Sequence, residues 1–210
     1  MNESYLTIKE AASSEITIQK SRFIGYASPC ATEEEAIRYI QAIREQHREA
    51  RHHCYAYIIG SNSGIMRYSD DGEPGGTAGM PMLDLLKKEQ TVNCCVVVVR
   101  YFGGILLGTG GLVRAYTQGC KLALEAAEIV RMELSDVIQC RVNYSLWNSI
   151  QYALKNMDIL VGGVQYLDTV EFEYAVRKKD SEESIRTLLN KTDGKLEYKI
   201  LEEAYRAWNT

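Results

Sequence analysis

Apolar and polar residues alternate along residues 15–29 (EITIQKSRFIGYASP), the period of a strand or bent hairpin with one buried face. Thr32 followed by Glu35 forms a capping box, and Ala36, Ile37, Ile40 and Ile43 then recur at helical spacing to about Glu49. Residues 53–60 (HCYAYIIG) read as a strand, and Ser61-Asn62-Ser63-Gly64 turns it into a second strand over 65–69. A short helix is expected over 82–90. Residues 92–101 (VNCCVVVVRY) are an almost unbroken β-branched run, the pattern of a central strand buried on both faces. A long helix follows from about 110 to 128, with Tyr116, Gly119, Cys120, Ala123 and Ala127 along one side. Side chains that small let a helix pack closely on a sheet.

Beyond Ser135 the pattern changes. It gives strand 136–143, helix 145–157 with Trp147, Ile150, Leu154 and Met157 on one face, and strands 159–166 and 169–177. Helix 181–191, which Asp180 and Glu183 start and Gly194 ends, and strand 195–205 complete it. The order βαββαβ is the ferredoxin-like motif. The sequence therefore predicts an α+β protein of two domains, 1–132 and 135–210, with no long linker between them.

Charged residues at 25% and apolar residues at 46% are ordinary for a soluble chain of 210 residues. The longest uncharged apolar stretch, 92–99, is too short to span a bilayer, and the N-terminus lacks the basic start and apolar run of a signal peptide. The six cysteines contain no C-x-x-C pair, and Cys94 and Cys95 are adjacent on a strand, where neighbours point to opposite faces. Free thiols in the core and a cytoplasmic location, with no membrane partner, are the expectation. Net charge is −4, with 14 basic against 15 acidic residues in 1–132 and 10 against 13 in 133–210. A polyanion would have to be met by a local patch rather than by the overall field.

Twelve of the sixteen glycines fall between Gly60 and Gly119, in two clusters. The first centres on Asp70, Asp71, Gly72, Glu73, Pro74, Gly76 and Thr77; the second on Arg100, Tyr101, Phe102, Gly103, Gly104, Gly108, Gly110 and Gly111. Glycine is conformationally expensive to order, so such density implies positive φ or close approach to a neighbour or ligand. The spacing Gly103-x-x-x-x-Gly108 begins like a nucleotide-phosphate loop, but Thr109-Gly110 stands where a Lys and a hydroxyl residue are needed. Val113 occupies the place of the third glycine of a dinucleotide fingerprint.

What survives is a strand delivering Arg100, a glycine loop, and a helix N-terminus with Arg114 on its first turn: an anion site built from backbone donors and dipole. The competing reading is a tight strand-to-helix crossover. Asp70, Asp71 and Glu73 lack calcium-loop spacing and suit turns, so no metal is expected. Pro74 and Pro81 keep the first cluster out of a central strand. His47, His52 and His53 pair with no nucleophile in a recognisable arrangement, so no catalytic residue and no cofactor is predicted, and an enzyme is disfavoured.

The two clusters, Tyr68-Ser69-Asp70-Asp71-Gly72-Glu73-Pro74 with Gly76-Thr77-Ala78-Gly79-x-Pro81, and Val99-Arg100-Tyr101-Phe102-Gly103-Gly104 with Leu107-Gly108-x-Gly110-Gly111-Leu112, resemble the signatures of the IMPACT/YigZ family. Bacterial members of that family pair this domain with a βαββαβ domain, so the resemblance covers the whole chain. It implies an N-terminal domain similar to ribonuclease PH and ribosomal-protein folds, and a C-terminal domain similar to the last domain of elongation factor G. Eukaryotic members regulate translation initiation through a protein partner bound by an additional N-terminal domain. The chain starts at the signature domain, so that partner is not expected here.

The expected function is non-enzymatic binding of RNA or a ribosomal surface in translation regulation. Arg100, Arg114 and Gly103–Gly111 would hold phosphate, and Tyr101 and Phe102 would stack on bases at about 1–3 kcal/mol each. The alternative is an enzyme or sensor for a small phosphorylated or anionic ligand bound between the two loops. A third possibility is an interaction module whose glycine clusters form a protein–protein surface.

Overall fold

The computed structural model describes residues 4–208, which divide into two units, the first ending at Arg131 and the second spanning Met132–Trp208. The first unit is built on a five-stranded antiparallel sheet. Its strands are β2 (Ala12–Ile18), β3 (Ser21–Pro29), β4 (His52–Ile59), β5 (Ile65–Ser69) and β6 (Cys94–Tyr101), in the order β2-β3-β6-β4-β5. The predicted bent hairpin is β2–β3, turning at Gln19 and Lys20, both with positive φ. β1 (Ser4–Ile8) was not foreseen; its Leu6 carbonyl accepts the Val92 amide at 2.9 Å.

Alternation along the central strands sends side chains into two cores. Cys94, Val96 and Val98 join Cys54, Ala56, Ile58 and Phe23 beneath α2 (Gly79–Lys88) and α3 (Gly108–Ala126). Cys95, Val97 and Val99 join Tyr57, Ile24 and Ile40 beneath α1 (Glu33–Gln46) on the other face. All six cysteines are free and buried, and burial holds their thiols neutral, raising Cys30 to about 11. The capping box of α1 is present: Thr32 Oγ1 accepts the Glu35 amide at 3.2 Å, while the Glu35 carboxylate accepts the Ala31 amide at 2.7 Å.

Glycine serves packing where helix and sheet approach closest. A Cβ on Gly25 of β3 would stand 2.4 Å from the Gly119 carbonyl of α3, so the backbones are in contact. Two helix starts differ from expectation. α2 begins at Gly79 rather than Met82, because the Asp70 carboxylate accepts the Ala78 and Gly79 amides at 3.0 and 2.8 Å. Pro81 then falls in the first turn, where its missing amide costs nothing. α3 begins at Gly108 rather than 110.

The second unit runs β7 (Ile129–Val142), α4 (Tyr144–Lys155), β8 (Leu160–Tyr166), β9 (Val170–Arg177), α5 (Ser181–Lys191) and β10 (Glu197–Trp208), with β7 beginning seven residues earlier than the expected 136 and crossing the unit boundary. The βαββαβ order holds, with strands in the order β8-β9-β7-β10. Ile138, Cys140 and Val142 of β7 and Phe172 and Tyr174 of β9 face a core closed by Trp147, Ile150 and Leu188. The alternating positions Gln139, Arg141, Glu171 and Glu173 lie on the opposite face of the sheet.

Candidate functional site

The first glycine cluster folds into a knot of internal hydrogen bonds. Asp70 Oδ2 accepts the Gly76 amide at 2.8 Å while its other oxygen holds the two amides that start α2. These charge-assisted bonds place a negative charge at the positive end of a helix. Asp71 takes a guanidinium nitrogen of Arg44 at 2.8 Å and the His53 amide at 2.7 Å. Thr77 is buried and donates its hydroxyl to the Pro74 carbonyl at 2.6 Å. Gly72 and Gly76 have φ of +85° and +77°, and Gly72 sits against the His52 ring. No group of three or more metal-ligating side chains gathers among the described residues.

Glu73 turns inward. Its Oε1 accepts from Arg100 Nη1 and from the Tyr116 hydroxyl, both at 2.7 Å, and His52 Nε2 lies 4.0 Å away. The side chains of Glu73 and Arg100 are only 4% and 6% exposed. Burial, with Cys54 and Glu73 adjacent, drives the Tyr116 phenol far above the usual tyrosine range, so it is a permanent donor to Glu73. A second Arg100 nitrogen reaches Ser21 Oγ at 3.4 Å, and Arg100 Nε is buried without a hydrogen-bond partner. Arg100 is therefore not available at the surface to grip phosphate: it neutralises Glu73 and joins the two glycine clusters from within.

The second cluster is different. Gly103 is fixed, because a Cβ there would overlap the Lys20 backbone at 2.0 Å, and its amide donates to Ser21 Oγ at 3.2 Å. Gly104 and Gly108 have φ of +84° and +70°, and a Cβ on either would meet nothing within 4 Å. Gly108, Thr109, Gly110 and Arg114 are exposed; Gly111 is partly covered by Leu107. No side chain caps α3. A Cβ on Gly110 would lie 3.7 Å from an Arg114 guanidinium nitrogen, so the cation sits beside the open amides.

Tyr101 is half-buried, its hydroxyl bonded to His47 Nδ1 at 2.9 Å, and the Arg22 guanidinium lies 5.6 Å from its ring. Arg22 is itself bound by both Glu15 oxygens at 2.7 Å. Phe102 is 52% exposed, and its ring centroid lies 5.5 Å from the Arg100 guanidinium. The loop between carries Ile105 and Leu106, the latter 85% exposed, so its tip is aliphatic.

The structure thus brings Glu73 and Arg100 into one buried cluster, and leaves Phe102, Gly104, Gly108, Gly110 and Arg114 on one exposed strand-to-helix corner. Sequence reasoning missed Tyr116, His52, Ser21 and Lys20. Their partners are remote in the chain, and only the place of Tyr116 on the small-residue side of α3 hinted at one of them. Four cavities of about 120–420 Å3 are formed among the described residues, and neither glycine cluster lines any of them. In the second unit the sheet face opposite the core carries Glu171 and Glu173, with Arg141 bound to Glu171 at 2.7 Å.

Residues 19–124 match the Impact N-terminal domain, and residues 140–195 match a domain of unknown function (DUF1949). The Bacillus subtilis (strain 168) "IMPACT family member YvyE" is 42% identical, covering 98% of this chain and 94% of that protein. A Haemophilus influenzae IMPACT family member is 36% identical over 94% of this chain and 97% of its own length. The Escherichia coli (strain K12) "IMPACT family member YigZ" is 49% identical over 51% of this chain and 53% of its own. A crystal structure described as that of a hypothetical protein superposes with a TM-score of 0.62 at 34% identity, covering 96% of this chain and 99% of that one. Both domain models, in the expected order along one chain, and a relative matched over nearly its whole length place this chain in the IMPACT family.

Proposed function

We propose that this chain is a non-enzymatic RNA-binding protein of translation regulation, acting on RNA or a ribosomal RNA surface through the corner between β6 and α3. The observation that carries the reading is the open N-terminus of α3: glycines with free space around them, no capping side chain, and Arg114 alongside. A 19-residue helix presents its unpaired amides and the positive end of its dipole there, the arrangement that holds a phosphate. Phe102 stands beside it, backed by the Arg100 guanidinium, with half its surface available to a base. The ribosomal-protein and elongation-factor folds that the family resemblance implies would agree with this reading, though a shared fold alone does not assign a function. The contrast with α2 is the reason to assign binding to the second cluster: Asp70 already fills the equivalent position there.

The test is fluorescence anisotropy with labelled single-stranded and structured RNA at low salt, beside ribosome co-sedimentation. Wild type is expected to bind saturably. Phe102→Ala is expected to lose about 1–3 kcal/mol of affinity, the usual contribution of one stacked base. Arg114→Ala is expected to weaken binding to every sequence alike, as loss of a phosphate contact does. Absence of binding at low salt, where electrostatic affinity is greatest, overturns the proposal.

A further inference from the structure

The largest of these four cavities, about 420 Å3, lies at the other end of the first unit's sheet from the glycine clusters. Strand register places it there. β4 and β6 pair with His52 opposite Arg100 at one end and Ile58 opposite Cys94 at the other, and Ile58 and Val92 wall the cavity. Every lining residue belongs to the first unit. Its volume is within the ~300–1,000 Å3 usual for small-molecule sites.

Charge decides what such a cavity takes. In a chain of net charge −4, the only ionic groups lining it among the described residues are Lys87 and Arg131. Lys87 has Asp84 at 3.6 Å one turn back on α2, an exposed pair of a kind worth little. Asp84 does not line the cavity. Arg131 has the neutral Ser4 hydroxyl at 3.5 Å, the limit of a hydrogen bond. The end of α2 would repel an anion if its carbonyls were open, but those of Leu85, Leu86 and Lys87 accept the amides of Glu89, Thr91 and Gln90. Ser4 and Ser63 add hydroxyls, and Leu6, Ile58, Leu86 and Val92 supply apolar surface.

We infer that this cavity binds a small organic anion, a phosphate monoester or carboxylate carried on an apolar or aromatic body. The anionic group sits between Lys87 and Arg131, and the body lies against Leu6, Ile58 and Leu86. The site is independent of the RNA proposal and stands or falls without it.

The test is a titration of the full 15N-labelled chain with phenyl phosphate, benzoate and the neutral benzyl alcohol, up to about 10 mM, a range that reads dissociation constants of about 1 mM or tighter. Saturable shifts are expected at the amides of Leu6, Ser63, Thr91 and Val92, while Gly104 and Gly108 stay still. At least one anion is expected to bind ten times or more tighter than benzyl alcohol. Which of the two binds better identifies the headgroup as phosphate or carboxylate, and either result supports the site. The double substitution Lys87→Gln/Arg131→Gln, at two surface positions, is expected to weaken anion binding at least tenfold and leave benzyl alcohol unchanged. No saturable shift at these amides, equal binding of the neutral probe, or anion binding untouched by the double substitution overturns the inference.

Discussion

Glu73 and Arg100 show how a residue's sequence neighbourhood misleads about its role. Each lies in a glycine-rich signature that suggests a surface loop, yet the pair is buried and joined at 2.7 Å. A buried ion pair contributes little net stability over apolar residues, but losing one partner strands a charge in the interior. Glu73→Ala and Arg100→Ala are each expected to lose about 3–5 kcal/mol in denaturant unfolding. The double substitution is expected to cost clearly less than the sum, and additive costs would show that the two are not coupled.

His47 carries a pH dependence. It lies between the hydroxyls of Tyr26 at 2.6 Å and Tyr101 at 2.9 Å, and burial, then His53 and Arg22, push its pKa below the usual 6.5. The unfolded chain therefore binds this proton more readily than the folded one. Stability from this residue is complete above pH 6.5 and is lost as pH falls through the range below it. Melting temperature is expected to drop between pH 7.5 and 5, and His47→Gln is expected to flatten part of that drop; an unchanged pH profile in the variant would remove His47 from the account.

At the scale of elements, the glycines separate into two kinds. Gly25, Gly79 and Gly103 stand where a side chain would strike backbone, at 2.4, 2.5 and 2.0 Å, and exist for packing. Gly104, Gly108 and Gly110 border open space or the end of Arg114. Gly25→Ala is expected to destabilise by about 1–3 kcal/mol, as overpacking does. Gly110→Ala has a helical position without positive φ, so stability is expected to hold or rise by up to about 1 kcal/mol. If the corner binds RNA through close backbone approach, the same substitution is expected to weaken anisotropy-measured affinity. Loss of stability without loss of binding would assign Gly110 to architecture instead.

For the whole molecule, net charge and surface distribution limit how the proposed RNA partner could be held. The chain is acidic at −4, Arg22 and Arg100 are bound to carboxylates, and the second unit's sheet face opposite the core presents Glu171 and Glu173. Arg114 is the cation beside the corner's open amides, and the exposed Lys20 adjoins the corner through its backbone contact with Gly103. Two phosphate contacts would give a slope of log K against log salt of about −1.4 for single strands. A much steeper slope would place the RNA on a broader basic surface and away from this corner. Among the described residues no helix is long and apolar enough to cross a membrane.

The alternation of Val96 to Val99, the capping box at Thr32 and the βαββαβ order were legible because each depends on residues a few positions apart. Local sterics and burial periodicity act at that range, and the two-unit α+β architecture follows from them. The helix starts at Gly79 and Gly108 were misread because they depend on what stands across the loop: Asp70 for one, open space for the other. The site was harder still. One glycine cluster is a closed internal knot and the other an open corner, although the two look alike as strings. That difference was decided by Arg100, Tyr116 and Ser21 arriving from distant elements. Whether a buried carboxylate is neutralised, and whether a helix end is capped, are settled by partners that only the folded chain brings within hydrogen-bond reach.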